Sequence, residues 1–564
     1  MKPSTIETRL FINNEFVESK TGKTFKISNP ATDQEICDVH EASKEDVDLA
    51  VNAAEAAFPH WSSLAAHERA MCMFKFAQLV QRDAQQLAEL DSVCMGKPVE
   101  LLKKMDIPAL VGVFNYFAGS GYHIVGESSL SSPNFLNVSV RQPYGVVGLI
   151  IPWNVPMIMF AFKVAPALIC GNTVVLKSSE KAPLSSLKLA GLIKEAGFPP
   201  GVVNVVSGFG DPTGTAIGMH MKIRKISFTG SVATGRKILR MAADSNLKNV
   251  SLELGGKSPA IIFGDADLDA AARYTHYSIN HNSGQHCQAN SRVLVQEGVA
   301  DAYIDRLKTL MAKVTIGDPA DPATFQGPQS DHAQLAHIQR LVDEGAKDGG
   351  TLVYGGKRHG TTGAFIEPTI LKNVPTQSAA YREEIFGPVV IVNTFKDEAD
   401  VLAEANCTDF GLFCKCPPRP VAVAPLRGHA FALWPSLHPT TSVAGNSKKR
   451  DEGGLVFTSH LSPTYKLTKT NLPLPASVYT SNFDRAVRVA KALEAGAVGI
   501  NCSVPVRAVD MPIGGWKQSG MGKELSLHGL NTYTELKTIF MKYNADPTSM
   551  AVNTWHSGQM QNGM

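Results

Sequence analysis

The stretch GVVGLIIPWN at residues 145–154 decides the fold, together with NTVVLKSSE at 172–180, VVNVVS at 202–207, KISFTGS at 225–231 and VSLELGGK at 250–257. Each begins as a short β-branched run. Segments of helical character, at 156–169, 183–196, 211–220 and 233–243, separate them. Short apolar strands alternating with helices predict a parallel sheet covered on both faces. That is a doubly wound nucleotide-binding pattern, whose ligands sit beyond the carboxyl ends of the strands.

Working outward, a second alternation follows. AIIF, SRVLVQ, TLVYGG, PTILKNV and VVIVNTF read as strands, and 267–279, 299–313 and 329–348 as helices, which predicts a second α/β domain. Upstream, LFIN and EFVES flank Asn13–Asn14 as a small hairpin, and 44–60 and 64–95 carry helical spacing. SKED at 43–46 has the form of a helix start, with Ser43 as cap and acids in the first turn.

The whole chain sets bounds on this reading. Its 564 residues allow two large domains or three to four smaller ones, and 44% hydrophobic against 19% charged residues supplies large cores. A net charge of +3 carries no nucleic-acid footprint. Nine scattered cysteines without a CxxC pair imply reduced thiols and no zinc site. No targeting motif or membrane span is legible, so a cytoplasmic enzyme is expected, with no nucleic-acid or membrane partner.

One segment breaks the pattern. Phe413 to Pro475 holds nine prolines and eight Lys/Arg against two acids, and it shows no sustained period. A structureless stretch of this length is out of place inside a compact domain. After it, ASVYTSNFDRAVRVAKALEAGAVGIN resumes as strand, helix and strand. The segment is expected to be a gene-model artefact or a disordered surface loop.

Two boxes carry chemistry. ELGGK at 253–257 places a carboxylate at a strand end beside paired glycines, and GQHCQANSR at 284–292 places a cysteine on a polar turn before a strand. Cysteine and carboxylate suit nucleophile and base in thioester chemistry, although such a pair taken alone is more often a core thiol and a surface acid.

These boxes resemble those of the aldehyde dehydrogenase superfamily, in its hydrolytic NAD(P)-dependent branch. The acid and nucleophile would be Glu253 and Cys287, with Ala289 and Arg292 completing the second box. The resemblance extends to PWN (152–154), LKSSE (176–180), FTGS with Gly235 (228–235), EEIFGPV (383–389), ANCTDFGL (405–412), AGAVGIN (495–501) and PIGGWKQSGMGKE (512–524). It implies an α/β fold with a Rossmann-like NAD-binding domain (8–123 and 144–253) and a second α/β catalytic domain (254–530, interrupted by 413–475). A small β oligomerisation arm (124–143 and 531–543) would join subunits into a homodimer or homotetramer.

The resemblance also implies roles. Cys287 would attack the aldehyde, Asn154 and the Cys287 backbone N–H would hold the oxyanion, and Glu253 would activate water. Lys177 and Glu180 would reach the adenosine ribose, and a carboxylate there favours NAD over NADP. Ser178 stands where the family often has proline. Gly230 and Ser231 would lie under the pyrophosphate, with Glu384 and Phe386 at the nicotinamide ribose and ring. Trp153 borders the cofactor or packs, and Lys163 serves the site or the structure. Val155, Met159, Phe162, His286 and Ile513 would form an apolar pocket for the aldehyde, and His286 lines it or supports the thiolate. Two rivals stay open: the same fold inactivated by 413–475, or a cysteine hydrolase or acyltransferase working without a dinucleotide.

Overall fold

The computed structural model describes residues 6–411, 477–502 and 508–543. The segment 413–475 lies outside the described residues.

The five runs that open the sequence reading form five parallel strands: β1 (Val146–Ile150), β2 (Thr173–Lys177), β3 (Val203–Val206), β4 (Ile223–Thr229) and β5 (Asn249–Glu253). Their order across the sheet is β3-β2-β1-β4-β5. The order reverses direction between β1 and β4, and the crevice beyond that switch point is where such sheets hold ligands. The hairpin strands Leu10–Ile12 and Glu15–Val17 extend one edge through Phe11 against Val205. β1 and β2 are buried throughout, as a sheet covered on both faces requires. The helix Pro156–Ile169 behind β1 is buried on every side, so it is apolar but for Lys163 and carries no polar face. Pro156 opens it where no backbone donor is needed.

Only the short link 254–258 separates β5 from β6 (Pro259–Ile262), the first strand of the second sheet. The others are β7 (Arg292–Gln296), β8 (Thr351–Tyr354), β9 (Thr369–Lys372), β10 (Val389–Phe395), β11 (Ser477–Tyr479) and β12 (Gly499–Ile500). They run in the order β8-β9-β10-β7-β6-β11-β12 and are parallel except for the β8 edge. The link therefore joins the carboxyl end of one sheet to the amino end of the other, and both edges contribute to one crevice.

Three local outcomes differ from the sequence reading. The helix expected over 64–95 is two, Ala66–Arg82 and Ala84–Met95, broken at Asp83, whose carboxylate bonds Arg82 and Lys188. The stretch 211–220 is a wide π turn followed by the short helix Thr215–Met219. Strand Gly520–Met521, from the region expected in the catalytic half, pairs with β5 and closes that edge of the first sheet. The Ser43 start is a full capping box with Asp46. Strands Ser128–Ser129, Phe135–Pro143 and Thr534–Lys542 form a separate three-stranded sheet. Its last strand exposes Leu536, Ile539, Phe540 and Met541. No helix among the described residues is long and apolar enough to cross a membrane.

Candidate active site

A cavity of about 260 Å³ opens beyond β1, β4 and β5, at the switch point. Trp153, Asn154, Val155 and Met159 line it from the β1 side, and Thr229, Gly230 and Ser231 from the end of β4. Glu253, Leu254 and Gly255 come from the end of β5, Cys287 from the loop before β7, and Glu384 and Phe386 from the loop before β10. Gln334 and His337 of helix His332–Lys347 complete the wall.

Cys287 rests on a loop held from several directions. The Asn154 side-chain amide donates to the Gln285 carbonyl at 3.0 Å, and Asn282 donates to the Asn154 carbonyl at 2.9 Å. Gly284 takes φ +73°, and a Cβ there would stand 2.1 Å from the Gly387 backbone, so only glycine lets the cysteine loop and the EEIFGP loop touch. The thiol is raised well above its ordinary value by burial first, then by the carboxylates of Glu253 and Glu384, while its own backbone N–H acts the other way.

Glu253 is buried, and its Oε2 has no hydrogen-bond partner among the described residues. Its carboxyl is pushed up to about 8 by burial and then by Glu524, with Lys163 and Thr229 opposing. Glu524 accepts from Lys163 Nζ, which also donates to Ser227 Oγ at 3.0 Å. Pairing of Gly520 with Glu253 across the strand edge brings Glu524 there. Glu524 and Thr229 are site neighbours that the sequence reading quoted inside boxes without giving them roles. Lys163 is fully buried and paired to Glu524, which joins its two readings: it braces the fold through a group that faces Glu253.

Glu384 accepts from the Gly256 N–H at 2.9 Å, and a Cβ on Gly255 would meet its Oε2 at 2.2 Å. The paired glycines of ELGGK therefore form the seat of this carboxylate, which burial raises to about 7. Phe386 sits edge-on to Trp153, with ring centroids 5.5 Å apart, and holds φ +55°. That left-handed conformation is costly for an aromatic residue and is pinned by Gln334 Nε2, which donates to the Ile385 and Phe386 carbonyls, each at 3.1 Å. Ser231 caps the helix Val232–Asp244, whose first N–H groups face the crevice end of β4. Lys177 and Glu180 lie at the end of β2, outside this cavity but on the same sheet edge. Lys177 Nζ donates to the Ser178 carbonyl and lies 3.9 Å from Glu180; burial lowers it to about 8.

Three residues expected in the aldehyde pocket do not line this cavity. Phe162 packs into the core of the first half, one turn beyond Met159. His286 turns to the His281 ring, 6.1 Å away, and burial lowers it to about 3. Neutral at physiological pH, it gives the thiolate no cationic support. Ile513 pairs its backbone with Glu524 and packs against the same core. Among the described residues no group of three or more His, Cys, Asp and Glu could hold a metal ion.

Comparison with known proteins matches this geometry. The profile of the aldehyde dehydrogenase family covers residues 16–415 and 467–539, and its gap falls within the anomalous segment. An aldehyde dehydrogenase of Emericella nidulans is 42% identical over 94% of both chains, and aldehyde dehydrogenase 1A1 of Mus musculus is 40% identical over 95% of both. The NAD+ complex of a Bacillus cereus aldehyde dehydrogenase superposes with TM-score 0.83 at 36% identity, covering 95% of this chain and 97% of that one. An indole-3-acetaldehyde dehydrogenase solved with NAD+ superposes equally, at 34% identity over 96% of this chain and 97% of that one. With the family profile matched over most of its length and relatives about 40% identical across nearly the whole of both chains, the chain belongs to the aldehyde dehydrogenase family.

Proposed function

We propose that the chain oxidises an aldehyde to a carboxylic acid with NAD, an activity of the class EC 1.2.1.3. The observation that carries the reading is one cavity walled by a cysteine, a buried carboxylate and a side-chain amide. The residues on the sheet edge fit the dinucleotide: a helix amino terminus at Ser231 for the pyrophosphate, Lys177 and Glu180 for the adenosine ribose, and Glu384 and Phe386 for the nicotinamide half. When bound, NAD supplies the hydride acceptor.

Every other step belongs to the protein. As Cys287 loses its thiol proton to water, Sγ bonds the aldehyde carbon, and the carbonyl oxygen becomes an oxyanion for which the Asn154 amide and the Cys287 N–H are the donors. Loss of hydride leaves a thioester. Glu253, once ionised, takes a proton from water as the water oxygen bonds the acyl carbon. The carbon–sulfur bond then breaks, releasing acid and thiol. The unpartnered Oε2 is the atom suited to receive that proton. Val155 and Met159 make the aldehyde side of the cavity apolar, and no Arg or Lys among the described residues lines it. Medium aliphatic or aromatic aldehydes therefore fit better than a carboxylate-bearing semialdehyde, whose charge would find no partner.

The three-stranded arm, with its exposed apolar strand, is the surface for a homodimer or homotetramer, and relatives named as cytosolic aldehyde dehydrogenases support a cytoplasmic location. NADH absorbance on adding an aldehyde panel tests the function. Turnover of hexanal or benzaldehyde at higher kcat/KM than succinate semialdehyde supports the reading. Ester hydrolysis without NAD reduction would support a cysteine hydrolase instead.

A further inference from the structure

Lys181 and Asp331 close a ring of contacts that joins the two walls of the cavity. Lys181 follows β2 of the first sheet; its Nζ lies 5.1 Å from the Trp153 ring centre and 2.5 Å from Asp331 Oδ2. Asp331 caps the helix His332–Lys347, accepting from the Gln334 N–H at 2.7 Å. That helix packs on the second sheet through Leu335, Ile338 and Leu341. Gln334 in turn pins the Phe386 carbonyl, and the Phe386 ring returns to Trp153. Trp153, Gln334 and Phe386 line the cavity, whereas Lys181 and Asp331 lie outside its lining and touch it only through them.

We propose that the Lys181–Asp331 pair is a latch between the two halves that sets the spacing of Trp153 and Phe386, and so positions the nicotinamide end of the cofactor. The idea rests on the cofactor reading above. Lys181 and Asp331 are positioning residues, because they act through Trp153 and Gln334. Lys181 makes one ion pair and one cation–π contact, so neutralising it removes both, whereas neutralising Asp331 removes the ion pair and leaves the ammonium free to move off the Trp153 ring. The adenosine end, held at Lys177 and Glu180, does not depend on the ring closing.

The test uses the full-length protein and two probes, NADH and ADP, with binding followed by fluorescence and calorimetry. Lys181→Met keeps the aliphatic stem and Asp331→Asn keeps a helix cap, so each removes charge with little threat to folding. Each is expected to weaken NADH binding about threefold to tenfold while leaving ADP binding unchanged. The double variant should be no weaker than the single ones, and Lys181→Arg should retain wild-type affinity. Equal losses for NADH and ADP, additive losses in the double variant, or no loss in either single variant would overturn the latch. A wild-type protein that binds neither probe would instead remove the cofactor reading.

Discussion

At the scale of the residue, the chemistry turns on two acids that resist ionisation. Cys287 and Glu253 are both shifted toward their neutral forms, chiefly by burial. A base raised to about 8 is ionised to about a tenth at pH 7. Thioester hydrolysis is therefore expected to rise with pH through that value, while the ordinary glutamate range is already left behind. Glu524→Gln removes the neighbouring carboxylate and frees Lys163, and both changes favour ionised Glu253, so the rising limb of the steady-state pH profile should move to lower pH. A limb that stays put or moves up would show that Glu524 does not govern Glu253. Cys287→Ser is expected to lose nearly all turnover yet bind NAD. Glu253→Gln should keep a first-turnover burst of NADH and slow the steady state; rapid-quench and absorbance traces separate the two phases. Cys287 and Glu253 were legible because each sits in a distinctive local box. Glu524 and Gln334 were not, because their meaning comes from a strand pairing and a helix docking that join distant parts of the chain.

At the scale of the element, spacing and turn chemistry carried most of the reading. The helix Pro156–Ile169 and the Ser43 cap fall where the apolar run after Pro156 and the cap residues put them. The break at Asp83 had no glycine or proline to announce it and depends on Lys188, a residue from another helix. The 254–258 link shows what a pattern of glycines is for only once its neighbour is known. Gly255→Ala would place a methyl 2.2 Å from Glu384 Oε2 and force that carboxylate off the Gly256 N–H. Losing a hydrogen bond to a charged group costs about 1.5–3 kcal/mol, so kcat/KM is expected to fall about tenfold or more. Steady-state kinetics check this, and circular dichroism should show an intact fold. An unchanged kcat/KM would show that the Glu384 seat is idle.

At the scale of the whole molecule, what remains to be weighed is the stretch Phe413 to Pro475, which interrupts an otherwise consistent chain. Three observations bear on whether the enzyme needs it. The family profile stops at 415 and resumes at 467. Strand β11 then takes its place beside β6 in regular register, Ala260 opposite Ser477 and Ile262 opposite Tyr479, so the sheet is complete on both sides of the interruption. The buried positions of β11 are filled by Ser477, Val478 and Tyr479, none of which belongs to the segment. Joining Leu412 to Ala476 gives GLASVYTSN and leaves every described strand and cavity residue in the chain. Closing a loop of this length instead of a short one costs only about 2 kcal/mol in chain entropy. The fold can therefore carry the segment if it is translated, and removing it should relieve a small cost. Deletion of 413–475 is expected to raise thermal stability slightly and to keep NADH production and kcat/KM within about twofold of the full chain, because the described residues that line the cavity all lie outside it. A deletion that abolished activity in a protein still folded by circular dichroism would show that the segment serves the site. Sequencing the mature transcript, with mass spectrometry for a peptide such as GHAFALWPSLHPTTSVAGNSK, settles whether the segment is translated at all: its absence makes the shorter chain the natural enzyme, and its presence makes the deletion the measure of its worth.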